Sequence, residues 1–121
     1  EKLDELFELC GVPRVQRKYD RRNALCCGSP IGPHAGADVC AAVKARNIHD
    51  ASEFQAEAMV FMCPFCALQM REEVAESGME PIFLTSLVRM ALGESLPCQP
   101  AGLGDDREMI QSAVKIIKGQ M

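Results

Sequence analysis

An α/β fold, a small mostly parallel sheet flanked by helices, is predicted by three features of this sequence. Two short and wholly apolar runs, residues 58–62 and 81–84, have the length and composition of strands covered on both faces. Stretches with helical spacing flank and separate them, an alternation that points to strands joined by crossover helices. At 121 residues the chain is long enough for one core and not for two.

Taken in order, Leu3, Leu6, Phe7 and Cys10 fall at i, i+3, i+4 and i+7, on one stripe of a helix that Gly11 can terminate. A short strand is expected at residues 12–16. Basic residues Arg14, Arg17, Lys18, Arg21 and Arg22 crowd the next stretch, and Gly28-Ser29-Pro30-Ile31-Gly32-Pro33 reads as a rigid loop. A helix is expected over residues 35–57, broken near Asn47, where the apolar spacing loses its phase. After the run at 58–62, a helix over residues 67–77 is stopped by Gly78. Beyond the second run, Thr85 caps a helix over residues 86–92 that Gly93 closes. Residues 94–104, with two Pro and two Gly, read as a linker. Asp105 or Asp106 caps a last amphipathic helix within residues 105–121, whose stripe is Met109, Ile110, Ala113, Val114 and Ile117.

Composition narrows the function. Hydrophobic content of 48% and charged content of 25% are ordinary globular values. A net charge of −4 gives no encouragement to a nucleic-acid or anionic-membrane partner. The longest apolar stretch, residues 58–70, contains a Pro and two Cys and is too short to span a bilayer. The first residues read as an amphipathic helix rather than a secretion signal, so a cytoplasmic protein is expected. With a helix under way at residue 1 and no initiator Met, the chain reads as a fragment of something longer.

Seven cysteines are many for this length; two are adjacent and two form a Cys-x-x-Cys. Outside a secretory context such spacing favours metal binding or redox chemistry over a disulfide framework. Cys63-Pro64-Phe65-Cys66 falls where a strand hands over to a helix. Free N–H groups and the positive dipole end at such a start lower a thiol pKa and favour thiolate. Alone, the motif fits a redox dithiol, half a zinc site or part of a cluster site. Cys26-Cys27-Gly28 narrows the choice. Adjacent thiols suit neither an ordinary disulfide nor zinc well, whereas a polynuclear cluster accepts them on different metal atoms. Gly28 lets the backbone approach such a group, and Pro30 and Pro33 stiffen the loop. Cys26, Cys27, Cys63 and Cys66 are therefore the candidate ligands, with zinc held by some of the four as the alternative.

With 35 residues between Cys27 and Cys63, the pair of motifs resembles the Cys-rich CCG domain of heterodisulfide reductase. The helix and strand expected over residues 3–15, and Ile82 to Gly93, resemble that module's opening and closing elements. The resemblance covers residues 1–93, which makes the expected organisation a partial CCG domain over 1–93, a linker over 94–104 and a C-terminal helix over 105–121. It implies a noncubane iron–sulfur cluster of the 4Fe–4S type, ligated by Cys26, Cys27, Cys63 and Cys66, that reduces a disulfide between two thiol coenzymes. It also implies iron–sulfur or flavin partner subunits as electron donors. The family motif has one more cysteine upstream of the pair, at a distance that places it before Glu1. A thiol–disulfide oxidoreductase using Cys63 and Cys66 alone is a further reading.

Plainer roles are expected for the remaining candidates. Cys10 belongs to the apolar stripe of the first helix, Cys40 packs beside Val39 and Val43, and Cys98 is an incidental exposed thiol. His34 is a solvated loop residue, and no partner for His49 is visible. Met59, Met62 and Met70 read as core. The basic run reads as a solvated face, with stabilisation of an anionic cluster, or docking of an acidic partner, as its alternative use.

Overall fold

Strand β1 (Ala58–Phe61) lies parallel to β2 (Glu80–Phe83), with Ala58 opposite Glu80, Met59 opposite Pro81, Val60 opposite Ile82 and Phe61 opposite Phe83. Parallel neighbours need a crossover, and helix α4 (Pro64–Glu76) supplies it. The structure, a computed structural model, describes residues 2–95. Most of the expected linker, Cys98 and the helix expected over residues 105–121 lie outside the described residues. Ahead of β1 come α1 (Lys2–Leu9), a 3₁₀ turn (Arg21–Asn23), α2 (Gly32–Ala35) and α3 (Ala37–Glu53); α5 (Leu84–Ala91) follows β2. The chain is thus α/β, with a two-stranded parallel sheet among the described residues.

The core gathers Ile48 and Ala51 of α3, Met59 and Phe61 of β1, Ala67, Met70 and Val74 of α4, and Met79, with Cys27 joining them from the loop region. Met70 and Val74 are fully buried, and each such side chain contributes about 1.5–3 kcal/mol by leaving water. Burial alternates along β1, with Met59 and Phe61 inside and Ala58 and Val60 only partly covered. One face of the strand therefore carries the core, in place of the two-sided burial expected. Met62 corrects the expectation outright: the strand ends one residue earlier, and Met62 is 58% exposed. A continuous apolar run does not mark where the pleat stops.

Other boundaries moved for local reasons. Residues 12–16 form no strand; the Val12 N–H instead bonds the Phe7 carbonyl at 3.0 Å, closing α1 around Gly11, and Pro13 has no donor to offer a ladder. α3 runs unbroken through Asn47 and ends at Glu53, because Gln55 adopts a positive φ of 56° and the Ala56 N–H bonds the Ala51 carbonyl. α4 begins at Pro64, the first helical position, which a proline favours because its missing N–H would have had no partner there. α5 begins at Leu84 with Phe83 in the cap position, which puts Thr85 inside the first turn rather than capping it. No helix among the described residues is long and apolar enough to cross a membrane.

Candidate functional site

Cys63 follows the carboxyl end of β1 and occupies the N-cap of α4, with extended φ and ψ of −99° and 126°. Ligands of parallel sheets bind at this edge. The geometry makes the two thiols of the motif unlike. Cys63 is exposed, and the backbone N–H groups of Cys66 first, then Phe65, lower its pKa against a smaller opposing effect of desolvation. These N–H groups belong to the second and third helical positions, which an N-cap acceptor serves. The neutral thiol itself makes no capping hydrogen bond; the pull is on the thiolate. Cys66, one turn in, is half-buried, and burial pushes its thiol up to about 12, with the neighbouring Cys27 and Cys63 thiols acting in the same direction.

Cys27 reaches this place from the other motif. It is buried in the core cluster, against which Cys66 packs. The structure therefore brings Cys27, Cys63 and Cys66 together, whereas the adjacent Cys26 is exposed and does not act on Cys66. Gly28 has φ +90°, and a Cβ built there would stand 3.1 Å from the Cα, Cβ and O atoms of Cys40. The close approach expected of this glycine is thus made to helix α3.

The loop ahead of the pair has one turn of 3₁₀ helix and otherwise depends on side chains for its position. Arg17 donates to the Asn47 carbonyl at 3.2 Å and to Asn47 Oδ1 at 2.6 Å, and lies 3.6 Å from Asp50 Oδ2. The Tyr19 N–H donates to Asp50 Oδ2 at 3.0 Å, and Asn47 Nδ2 donates to the Leu25 carbonyl at 3.4 Å. Asn47 and Asp50, 6% and 3% exposed, are the buried polar residues of α3, and burial without such partners would be costly. Sequence reasoning missed this clamp. Its signal was the lost apolar phase at Asn47, read there as a helix break.

The basic run accordingly has structural work. Arg14 bridges Asp4 of α1 to Asp20, Asp20 accepts from the Arg21 N–H at 2.8 Å, and Arg21 pairs with Asp4 at 3.1 Å. The Arg14 guanidinium, with help from Arg21, holds the Asp4 carboxyl below its ordinary pKa. Lys18 stands 5.3 Å over the Tyr19 ring, and Arg22 is exposed. The expectation of a merely solvated face is corrected for Arg14, Arg17 and Arg21.

Cys10 is half-buried at the end of α1, a helix with no buried residue, and so lies outside the core it was assigned to. Cys40 is half-buried but faces the loop rather than Val39 and Val43: its Sγ donates to the Gly28 carbonyl at 3.2 Å. His34 is exposed, as expected, and His49 Nε2 lies 3.5 Å from Glu53 Oε1. An open cleft of about 410 Å³ runs between α3 and α4, lined by Cys27, Gly28, Cys40, Lys44 and Gln69 among others. Lys44 crosses it, bonding the Gln69 carbonyl and pairing with Glu73. A larger hollow of about 540 Å³ over Asp20, Arg21, Arg22 and Asn23 contains no thiol, so the cleft beside Cys27 is the relevant one.

Soft sulfur donors gathered at the positive end of a helix, one already biased toward thiolate, fit a thiophilic metal or an iron–sulfur group. Among the described residues, no three His, Cys, Asp or Glu side chains close into a cage for a metal ion. A family model, the CCG cysteine-rich domain, matches residues 2–71, a span that includes both cysteine motifs. No curated protein and no solved structure is similar enough to this chain to count as a match.

Proposed function

The chain belongs to the CCG cysteine-rich domain family, and from that premise we propose that it is the iron–sulfur redox domain of a protein like the CCG-bearing component of heterodisulfide reductase. The observation that carries the reading is the meeting of Cys27 with Cys63 and Cys66 across the length of the matched span. Those three and Cys26 are the ligands, and a noncubane 4Fe–4S cluster is the group they hold. When bound, it supplies electron storage and iron to which substrate sulfur can attach. The chain's own residues supply the rest. The N–H groups of Phe65 and Cys66 stabilise negative charge on Cys63, and the core around Cys27 and Cys66 excludes water from one side.

The net reaction delivers two electrons and two protons to a disulfide and releases two thiols. The electrons come from an iron–sulfur or flavin subunit, and the compartment is the cytoplasm. The reading calls for no nucleic acid and no membrane span. Anaerobic reconstitution with iron and sulfide tests it: bound iron, acid-labile sulfide and visible absorption are expected. Colourless protein with one tightly bound zinc would sink it in favour of a structural zinc domain.

A second reading rests on the unlike thiols of one motif. An exposed Cys63 with a lowered pKa beside a half-buried Cys66 with a raised one is the arrangement of a nucleophilic and a resolving thiol. A dithiol enzyme of this kind keeps its disulfide-reducing activity after Cys26→Ser and Cys27→Ser. The cluster reading predicts its loss.

A further inference from the structure

Cys40 and Asn47 stand on one face of α3, seven residues and so two turns apart, a separation of about 10 Å along the helix axis. Each holds one end of the segment that carries the vicinal cysteines. Asn47 Nδ2 donates to the Leu25 carbonyl, and Cys40 Sγ donates to the Gly28 carbonyl while its backbone abuts Gly28. Three residue steps separate Leu25 from Gly28, and they reach about 10 Å only when the chain is nearly fully extended. Cys26 and Cys27 are therefore drawn taut between two anchors, antiparallel to α3.

In extended chain, successive side chains point to opposite sides. Burial follows that rule, with Cys26 exposed and Cys27 buried. The front anchor is itself oriented. A guanidinium can only donate, so Arg17 at 2.6 Å from Asn47 Oδ1 turns the amide oxygen toward itself and leaves the NH₂ for Leu25.

We propose that Asn47 and Cys40 are positioning residues that stretch the vicinal pair between them, and so decide which of its thiols turns inward to Cys66 and which stays at the surface. The proposal builds on the cluster reading in giving Cys27 a ligand's task. The geometry, however, is a property of the metal-free chain and is tested there, so failure of one leaves the other standing.

The test is timed alkylation of the reduced, metal-free full chain with iodoacetamide, followed by site-resolved mass spectrometry. The readout is the Cys26-to-Cys27 labelling ratio, with Cys63-to-Cys66 as the internal reference. Asn47→Asp keeps the acceptor for Arg17 and removes the donor to Leu25, and it is expected to bring the first ratio roughly five-fold nearer to parity. Gly28→Ala, which loosens the rear anchor by crowding Cys40, shifts that ratio in the same direction. Both variants leave the reference ratio unchanged. An unaltered Cys26-to-Cys27 ratio in both would overturn the proposal. So would a parallel rise at all the described cysteines, because Asn47 would then act on the fold as a whole.

Discussion

The two cysteine motifs reach one place by different means. Cys63 and Cys66 are set by the backbone: a strand ends, Pro64 starts a helix, and the helix repeat puts the second thiol one turn in. Cys26 and Cys27 sit on a stretch with no regular structure beyond one 3₁₀ turn, and α3 side chains hold it from outside. Backbone placement is shared among many hydrogen bonds and tolerates single changes. Placement by a few buried polar side chains is concentrated, and one substitution can undo it.

The largest effect is expected where the side-chain clamp is cut. Asp50→Ala leaves the Tyr19 N–H and the half-buried Arg17 without their carboxylate and should destabilise the fold by about 3 kcal/mol, read from the urea midpoint. Gly28→Ala meets both a φ of +90° and contacts at 3.1 Å. Its expected cost is about 2 kcal/mol in the same measurement. On the backbone-set side, Pro64→Ala should change stability by only about 0.5 kcal/mol, since the N1 position tolerates most residues. A loss there as large as that of Asp50→Ala would erase the contrast.

Smallest and pH-dependent is the contribution of Asp4, which ties α1 to the loop through Arg14 and Arg21. Its folded pKa is lowered, chiefly by Arg14, so its stabilisation is complete above the ordinary carboxylate range and is lost as pH falls toward the folded value. Wild type should therefore exceed Asp4→Asn in urea midpoint at neutral pH. The two should converge as the solution is acidified, and a gap constant with pH would remove Asp4 from the network.

The same contrast explains what could be read from the sequence. The strand–helix handover at Cys63, the apolar runs, and the closures at Gly11, Gly78 and Gly93 depend on neighbours within a few residues, and spacing revealed them. Thr85 fell inside its helix because Phe83 took the cap, a choice of register that propensity does not settle. The clamp was illegible because Arg17 and Asn47 lie thirty residues apart, and a buried polar pair on a helix looks from sequence like a break in its apolar face. Residues 12–16 had strand-forming composition, but a strand requires a ladder, and the described sheet has its two strands elsewhere. Of the four candidate ligands, the motifs were visible, while the opposite facing of Cys26 and Cys27 required α3 in place.

Whether the two motifs form one cluster site is tested most directly by native mass spectrometry of the anaerobically reconstituted chain beside its Cys27→Ser and Cys66→Ser variants. Iron and sulfide bound to the parent chain and lost from both variants are expected, because one ligand comes from each motif. Zinc alone on the parent, or iron and sulfide retained when either cysteine is replaced, would contradict a shared cluster.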